Sequence, residues 1–206
     1  RAMDGDQGLN TGGMGTIAPN PYYTPEIARE CMETIFLPTM KAMNAEGRTF
    51  RGCLYFGLML TPNGPKVIEY NCRFGDPETQ VVLPLLKTDL FEIMEAIHEE
   101  RLGELDIQFS DQCAACVILA SGGYPQKYQT GYAISGLDKK GQAEGVTVYH
   151  AGTKLENGQF LTAGGRVLGV TALGDTLEEA LAHSYEAVKG ITFEHCHYRT
   201  DIGKIR

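Results

Sequence analysis

Four residues, Pro62-Asn63-Gly64-Pro65, constrain this chain more than any others, because they punctuate two apolar runs. "FRGCLYFGLMLT" precedes them and "KVIEYN" follows them. Pro presets one backbone angle and Gly supplies another that side chains resist, so the dipeptides here mark a tight reversal. Two strand-like runs on either side of such a turn pair with each other. The expectation is an antiparallel hairpin, and the rest of the chain is arranged around it.

Helical periodicity lies on both sides. "TPEIARECMETIFLPTMKAMNAEG" reads as a helix, with Thr24 as N-cap, Pro25 at the first helical position and Gly47 at the stop. Pro38 should kink or divide it, since it has no N–H to give. "ETQVVLPLLKTDLFEIMEAIHEERLGEL" reads as one or two helices, broken by Pro84 and restarted by a cap at Asp89. Residues 1–20 are glycine-rich and read as a loop. Beyond residue 108 the pattern turns to strands, near 113–120, 146–151, 159–162 and 166–172. An amphipathic helix, "TLEEALAHSYEAVKGI", follows, with Thr176 and Glu179 in a capping box. The reading is a mixed segment over 1–108 and a small α+β module over 109–206.

Composition excludes several classes. The net charge of -8 opposes nucleic-acid binding, which needs a basic excess or patch. No apolar run approaches the length of a membrane span. No signal-peptide pattern opens the chain, so its six cysteines are expected as thiols, and a cytoplasmic location is expected with them. Cys113 and Cys116 form a C-x-x-C, but they sit in an apolar strand-like run with no second pair, which favours a structural reading.

The chemistry concentrates in three places. In "KVIEYNCRFGDPETQ", Glu69 and Asn71 are two apart, and in a strand such residues share a face. They offer hard oxygen ligands, one charged and one neutral, which suits Mg²⁺. The alternative is a solvated edge-strand acid beside a turn-forming Asn. Arg73 then offers a planar fork for carboxylate or phosphate. Asp76 before Pro77 resembles a helix N-cap, and a helix start is a natural anion site. The alternative is that Asp76 only caps and Arg73 only pairs with it. In "DGDQGLNTGGMG", successive glycines can present N–H groups to an anion, with Asp4, Asp6, Asn10 and Thr11 orienting; a plain surface loop is equally open. The third place is "HAGTK" with "TAGGRVLGVTA", where Lys154 and Arg166 can reach a phosphate unless they are solvated ends of turns. His195 and His197 read as surface histidines.

In this order, "DGDQGLNTGGMG", "VIEYNCRFGDPETQ", "HAGTK" and "GGRVLGVTA" resemble the glycinamide ribonucleotide synthetases, or phosphoribosylamine–glycine ligases, of the ATP-grasp superfamily, with "YRTDIGKIR" like that family's C-terminal end. The resemblance implies an α+β fold: the C-terminal half of an ATP-grasp domain, an antiparallel sheet with helices, followed by a small α+β module. It implies ATP-dependent ligation of glycine to 5-phosphoribosylamine through glycyl phosphate, with Mg²⁺ or Mn²⁺. By resemblance Glu69 and Asn71 are the metal ligands. Arg73 and Asp76 lie where substrate and phosphate charge meet. Asn10, Thr11, Gly12 and Gly13 shape the glycine or acyl-phosphate pocket. Lys154 and Arg166 face the ribose phosphate, and Arg1 is a remnant of the nucleotide-facing region. Family members carry an N-terminal part upstream of "RAMDGDQGLNTGG", so a fragment inactive by itself is expected. Two alternatives are another ATP-grasp carboxylate–amine ligase and a non-catalytic nucleotide-binding module.

Overall fold

The computed structural model describes residues 1–204. Ile205 and Arg206, which close the "YRTDIGKIR" stretch, lie outside the described residues. In chain order the elements are β1 (Gly15–Ala18), α1 (Pro25–Cys31), α2 (Leu37–Ala45), β2 (Tyr55–Thr61), β3 (Gly64–Asn71), α3 (Thr79–Leu85), α4 (Leu90–His98), β4 (Cys113–Ser121), β5 (Thr147–His150), β6 (Thr153–Glu156), β7 (Gln159–Thr162), β8 (Arg166–Gly174), α5 (Leu177–Gly190) and β9 (Cys196–His197). Contacts gather these into two units that interleave along the chain. The first comprises residues 1–19, 76–85 and 110–206, and the second comprises residues 20–75 and 86–109.

The first unit is built on an antiparallel sheet in the order β1-β4-β8-β5, with β9 added to the end of β4. β4 is central, and the period of two in its sequence decides what covers each face. Val117 and Leu119 join Val148, Val167, Val170, Val188, Ile191 and Phe193 on the α5 side. Ala114, Cys116 and Ile118 pack with Val81 and Leu85 of α3 on the other. Both faces are covered, which is why "CAACVILAS" is apolar without alternation. Burial pushes the Cys116 thiol up to about 12, so it stays protonated at neutral pH. Helix α5 starts where the sequence predicts: Thr176 Oγ1 accepts the Glu179 N–H at 3.2 Å, and a Glu179 carboxylate oxygen reaches back to the Asp175 N–H at 3.0 Å.

Three strands in this unit depart from expectation, one of them the short β9 that pairs with the end of β4. Residues 1–20 are not loop throughout, because Gly15–Ala18 pairs with β4, Gly15 opposite Val117. Segment 153–156, not among the expected strands, forms β6 and pairs with β7.

In the second unit the hairpin is present, with Thr61 opposite Gly64 and Tyr55 opposite Asn71. The register shifts between Gly57 and Leu58, a bulge that re-aims the strand beside Glu69. Thr24 caps α1 through the Ile27 N–H at 3.4 Å, and Asp89 caps α4 through the Phe91 N–H at 2.7 Å. The division expected at Pro38 takes the form of a wide helical turn over Met32–Phe36. Leu37 N–H donates to Met32 O, five residues back, just before the proline that has no N–H. Among the described residues no helix is long and apolar enough to cross a membrane.

Candidate functional site

In the second unit, β3 carries the predicted oxygen pair. Asn71 Nδ2 donates to Glu69 Oε1 at 2.9 Å, so the two side chains do share a face. Using the amide nitrogen this way leaves Asn71 Oδ1 and Glu69 Oε2 as acceptors. That donor set is hard, small and partly charged, which fits a Mg²⁺ that keeps its other positions for water and phosphate. The strand opposite makes room. A Cβ on Gly57 would stand 2.8 Å from Glu69 Cγ, closer than such atoms approach. Gly57→Ala is therefore expected to displace the carboxylate and, if the pair takes Mg²⁺, to weaken that binding about tenfold. A calorimetric Mg²⁺ titration checks it, and an unchanged isotherm rejects the steric argument. Arg73 follows on the same segment, exposed, with Nη1 donating to Phe74 O at 2.9 Å.

The first unit brings together the glycine-rich loop, Asp76 and Arg166. Arg166 leaves the start of β8, and its Nη1 donates to Gly12 O at 2.9 Å, Gly13 O at 3.3 Å and Asp76 O at 3.1 Å. Its Nη2 reaches Asp76 Oδ2 at 2.8 Å. The guanidinium is 18% exposed and the Asp76 carboxylate 48%. Gln80 Nε2 holds the other Asp76 oxygen, Oδ1, at 3.1 Å. Two glycines are needed here. A Cβ on Gly12 would lie 3.1 Å from Arg166 Cζ, and one on Gly13, at φ +111°, would lie 2.6 Å from Pro77 Cδ.

This arrangement changes three expectations. Asp76 lies three residues before α3, and its carboxylate pairs with Arg166, so it does not serve simply as the cap of that helix. Arg166 works as a clasp between the loop and Asp76. The Gly12 and Gly13 N–H groups already have acceptors, Tyr124 Oη at 3.3 Å and Thr11 Oγ1 at 3.1 Å. Tyr124 was not among the sequence candidates, and its only local signal was an aromatic residue in a glycine-rich turn. Asn10 is exposed beside this cluster.

The remaining candidates lie apart from the clasp. Lys154, on β6, pairs with Glu156 at 2.6 Å, both side chains about half exposed. Arg1 is exposed and donates from Nη1 to Gly8 O at 2.8 Å. His195 is exposed, as read from sequence, but His197 is not simply a surface residue: it lies half-buried on β9 and its Nε2 donates to Ala2 O at 2.7 Å. It belongs to a second clasp that sequence reading missed. Arg199, buried, donates from Nε and Nη2 to the two Asp201 oxygens at 2.7 and 2.9 Å, from Nη2 to Asp6 Oδ1 at 2.9 Å and from Nη1 to Arg1 O at 3.2 Å. Asp4 accepts from the Thr200 N–H at 2.8 Å. The acids of "DGDQG" thus hold the far end of the chain. The signal available was "RTD", because residues two apart in extended backbone stand side by side.

Comparison with known proteins agrees with these motifs. The family model described as phosphoribosylglycinamide synthetase, ATP-grasp (A) domain, matches residues 1–79, and the one described as phosphoribosylglycinamide synthetase, C domain, matches residues 114–205. The chain belongs to the phosphoribosylglycinamide synthetase family. A phosphoribosylamine–glycine ligase of Caldanaerobacter subterraneus is 49% identical over 202 residues, covering 98% of this chain and 48% of that protein. A bifunctional purine biosynthetic protein of Pichia angusta is 50% identical over 204 residues, covering 98% of this chain and 26% of its own length. The crystal structure of phosphoribosylamine–glycine ligase from Thermotoga maritima superposes with a TM-score of 0.85 at 36% identity, over 98% of this chain and 49% of that one. The biotin carboxylase domain of a thermophilic 2-oxoglutarate carboxylase, at 16% identity and a TM-score of 0.61, covering 90% of this chain and 41% of its own, shares the fold alone. The fold is α+β of the ATP-grasp class, as the resemblance implied. The chain spans about half the length of the phosphoribosylamine–glycine ligases it matches.

Proposed function

We propose that the full-length protein joins glycine to 5-phosphoribosylamine with ATP, giving glycinamide ribonucleotide, ADP and phosphate in purine synthesis. In this reading the glycine carboxylate attacks the γ-phosphorus and ADP leaves, forming glycyl phosphate. The amine of phosphoribosylamine then attacks the acyl carbon, phosphate leaves, and the amine proton goes to solvent. Neither step needs a side-chain nucleophile, so the protein contributes position and charge. Glu69 and Asn71 would hold Mg²⁺ or Mn²⁺ through the carboxylate and Oδ1, and a divalent ion supplies bridging and neutralisation of nucleotide phosphates. Arg73 adds an always-charged donor for the developing phosphate charge. Arg166 and Asp76 keep Asn10–Gly13 in one geometry, so the acyl-phosphate pocket needs no reordering when substrate arrives. Residues 1–108 would complete an ATP-grasp domain whose upstream part belongs to the same protein and carries most of the adenine pocket, with Arg1 at its margin. Residues 109–206 would form the C-terminal module. Small charged substrates support a cytoplasmic location.

The observation that carries this reading is the Glu69–Asn71 oxygen pair on β3 of a chain in this family. The test is ADP release by the full-length protein with Mg-ATP, omitting each substrate in turn. Release that requires both glycine and 5-phosphoribosylamine is expected, with none from the 206 residues alone. Release driven by a different acid would mean another carboxylate–amine ligase. Nucleotide binding without turnover would mean a non-catalytic module.

A further inference from the structure

The first unit holds a second concavity, a pocket of about 540 Å³ lined by Gly122, Lys127, Tyr128, Gln129, Tyr132 and His195. It is formed by the segment that leaves β4 and the turn that precedes β9. Its walls are aromatic. The His195 ring meets Tyr132 edge-on, centroids 5.6 Å apart, and Tyr128 stands 6.3 Å from Tyr124. Tyr132 Oη donates to Gln129 Oε1 at 2.6 Å, which leaves the Gln129 Nε2 group to donate elsewhere. One wall is fixed by a close backbone approach. A Cβ on Gly122 would stand 2.8 Å from His195 O, and His195 is held at φ +59°, a conformation uncommon outside glycine and found where structure or function demands it.

The charges in and around this pocket differ from those at Lys154 and Arg166. Lys154 is paired with Glu156, and Arg166 is bound to Asp76 and two loop carbonyls. Lys127 enters none of the ion pairs among the described residues. No acid lines the pocket. Glu194 lies 3.4 Å from His195 Nε2, outside the lining residues, and Lys127 is the lysine that lines the pocket. One ammonium, one amide donor and two phenol rings match a ring that carries a single phosphate. A polyphosphate would need more positive charge, and a neutral ring would need none. The pocket is also joined to the glycine loop. Tyr124, packed near Tyr128, is the residue that accepts the Gly12 N–H.

We propose that this pocket binds the phosphoribosyl group of the amine substrate, with the phosphate on Lys127, the ribose hydroxyls at Gln129 and the sugar face against Tyr132 and Tyr128. The proposal rests on the ligase reading and moves phosphate recognition away from Lys154 and Arg166. Ribose 5-phosphate is the probe, titrated calorimetrically into the full-length protein. Lys127→Met is expected to weaken its binding about tenfold or more, the scale of a lost charge-assisted hydrogen bond. The same variant should raise KM for 5-phosphoribosylamine comparably and leave KM for ATP unchanged. Lys154→Met should change none of these. Glu69→Gln should cut turnover sharply while ribose 5-phosphate still binds.

Several results would overturn the pocket: no binding of ribose 5-phosphate to the wild type, unchanged binding in Lys127→Met, or loss in Lys154→Met instead. A purine mononucleotide that binds through Lys127, while KM for the amine stays the same in Lys127→Met, would make it a regulatory site and would also overturn the proposal. The two readings fail separately. Glycine-dependent turnover indifferent to Lys127→Met leaves the ligase and removes the pocket. Binding through Lys127 without glycine-dependent turnover removes the ligase and leaves a phosphosugar site.

Discussion

Arg199→Met is expected to lower the unfolding free energy by roughly 3 kcal/mol, while Asp6→Ala lowers it by under about 1 kcal/mol. The two substitutions act on the same guanidinium, and burial separates them. The side chains of Arg199 and Asp201 are 9% and 10% exposed, whereas that of Asp6 is 60% exposed. Removing Arg199 takes the buried Asp201 carboxylate's charged partner away, and the Gly5 N–H at 2.9 Å does not replace that charge. Removing Asp6 strands little, because Asp201 still holds the arginine. The pair also sets an acid limit. The Arg199 hydrogen bonds hold the Asp201 carboxyl well below the usual carboxylate range, and the Gly5 N–H adds to this. A carboxyl depressed in the folded state stabilises fully above its unfolded value of about 3.9, and that contribution fades as pH falls further. Urea unfolding at pH 7 and pH 3 measures both effects. The wild type should lose stability between them, and Asp201→Asn should lose less. Equal losses in the two proteins would reject Asp201 as the acid-sensitive group.

The parts of the molecule that the sequence made legible are those with local causes. The hairpin was readable because Pro62-Asn63-Gly64-Pro65 reverses the chain within four residues. Thr24, Asp89 and Thr176 were readable because a cap acts on N–H groups two or three residues away. The Glu69–Asn71 face was readable because a strand has a period of two. What stayed hidden depends on partners distant in sequence. Strand β1 is four residues between glycines and a proline, and only pairing with β4, about a hundred residues later, makes it a strand. Arg73 stands three residues from Asp76 in sequence, yet the arginine on the Asp76 carboxylate is Arg166, ninety residues away. The acids of the first loop looked like orienting groups beside an anion site because nothing nearby showed that Arg199 and Thr200 would claim them. Lys127 drew no notice for the same reason. A lone lysine in a turn is unremarkable until Tyr132 and His195 are seen around it.

Glu69→Gln is expected to reduce turnover of the full-length protein at least about a hundredfold, since a catalytic divalent ion contributes several kcal/mol and each 1.36 kcal/mol is tenfold in rate. The substitution keeps the shape of the side chain and an oxygen, and removes only the charge. Glu69 is exposed, so folding should change by no more than about 0.5 kcal/mol. Added Mg²⁺ should restore part of the rate, because the neutral amide oxygen still ligates, though more weakly. Asn71→Asp tests the same pair from the other side. It turns the donor Nδ2 that holds Glu69 Oε1 into a second carboxylate oxygen, and two carboxylates at 2.9 Å repel unless a cation lies between them. The variant should therefore bind Mg²⁺ more tightly than the wild type and lose stability when the ion is chelated. A solvated edge acid predicts none of this: both variants would turn over at the wild-type rate and respond to Mg²⁺ alike. The rate at saturating ATP and glycine, followed across a Mg²⁺ titration, separates the two pictures, because only a metal site moves the midpoint in opposite directions for the two substitutions.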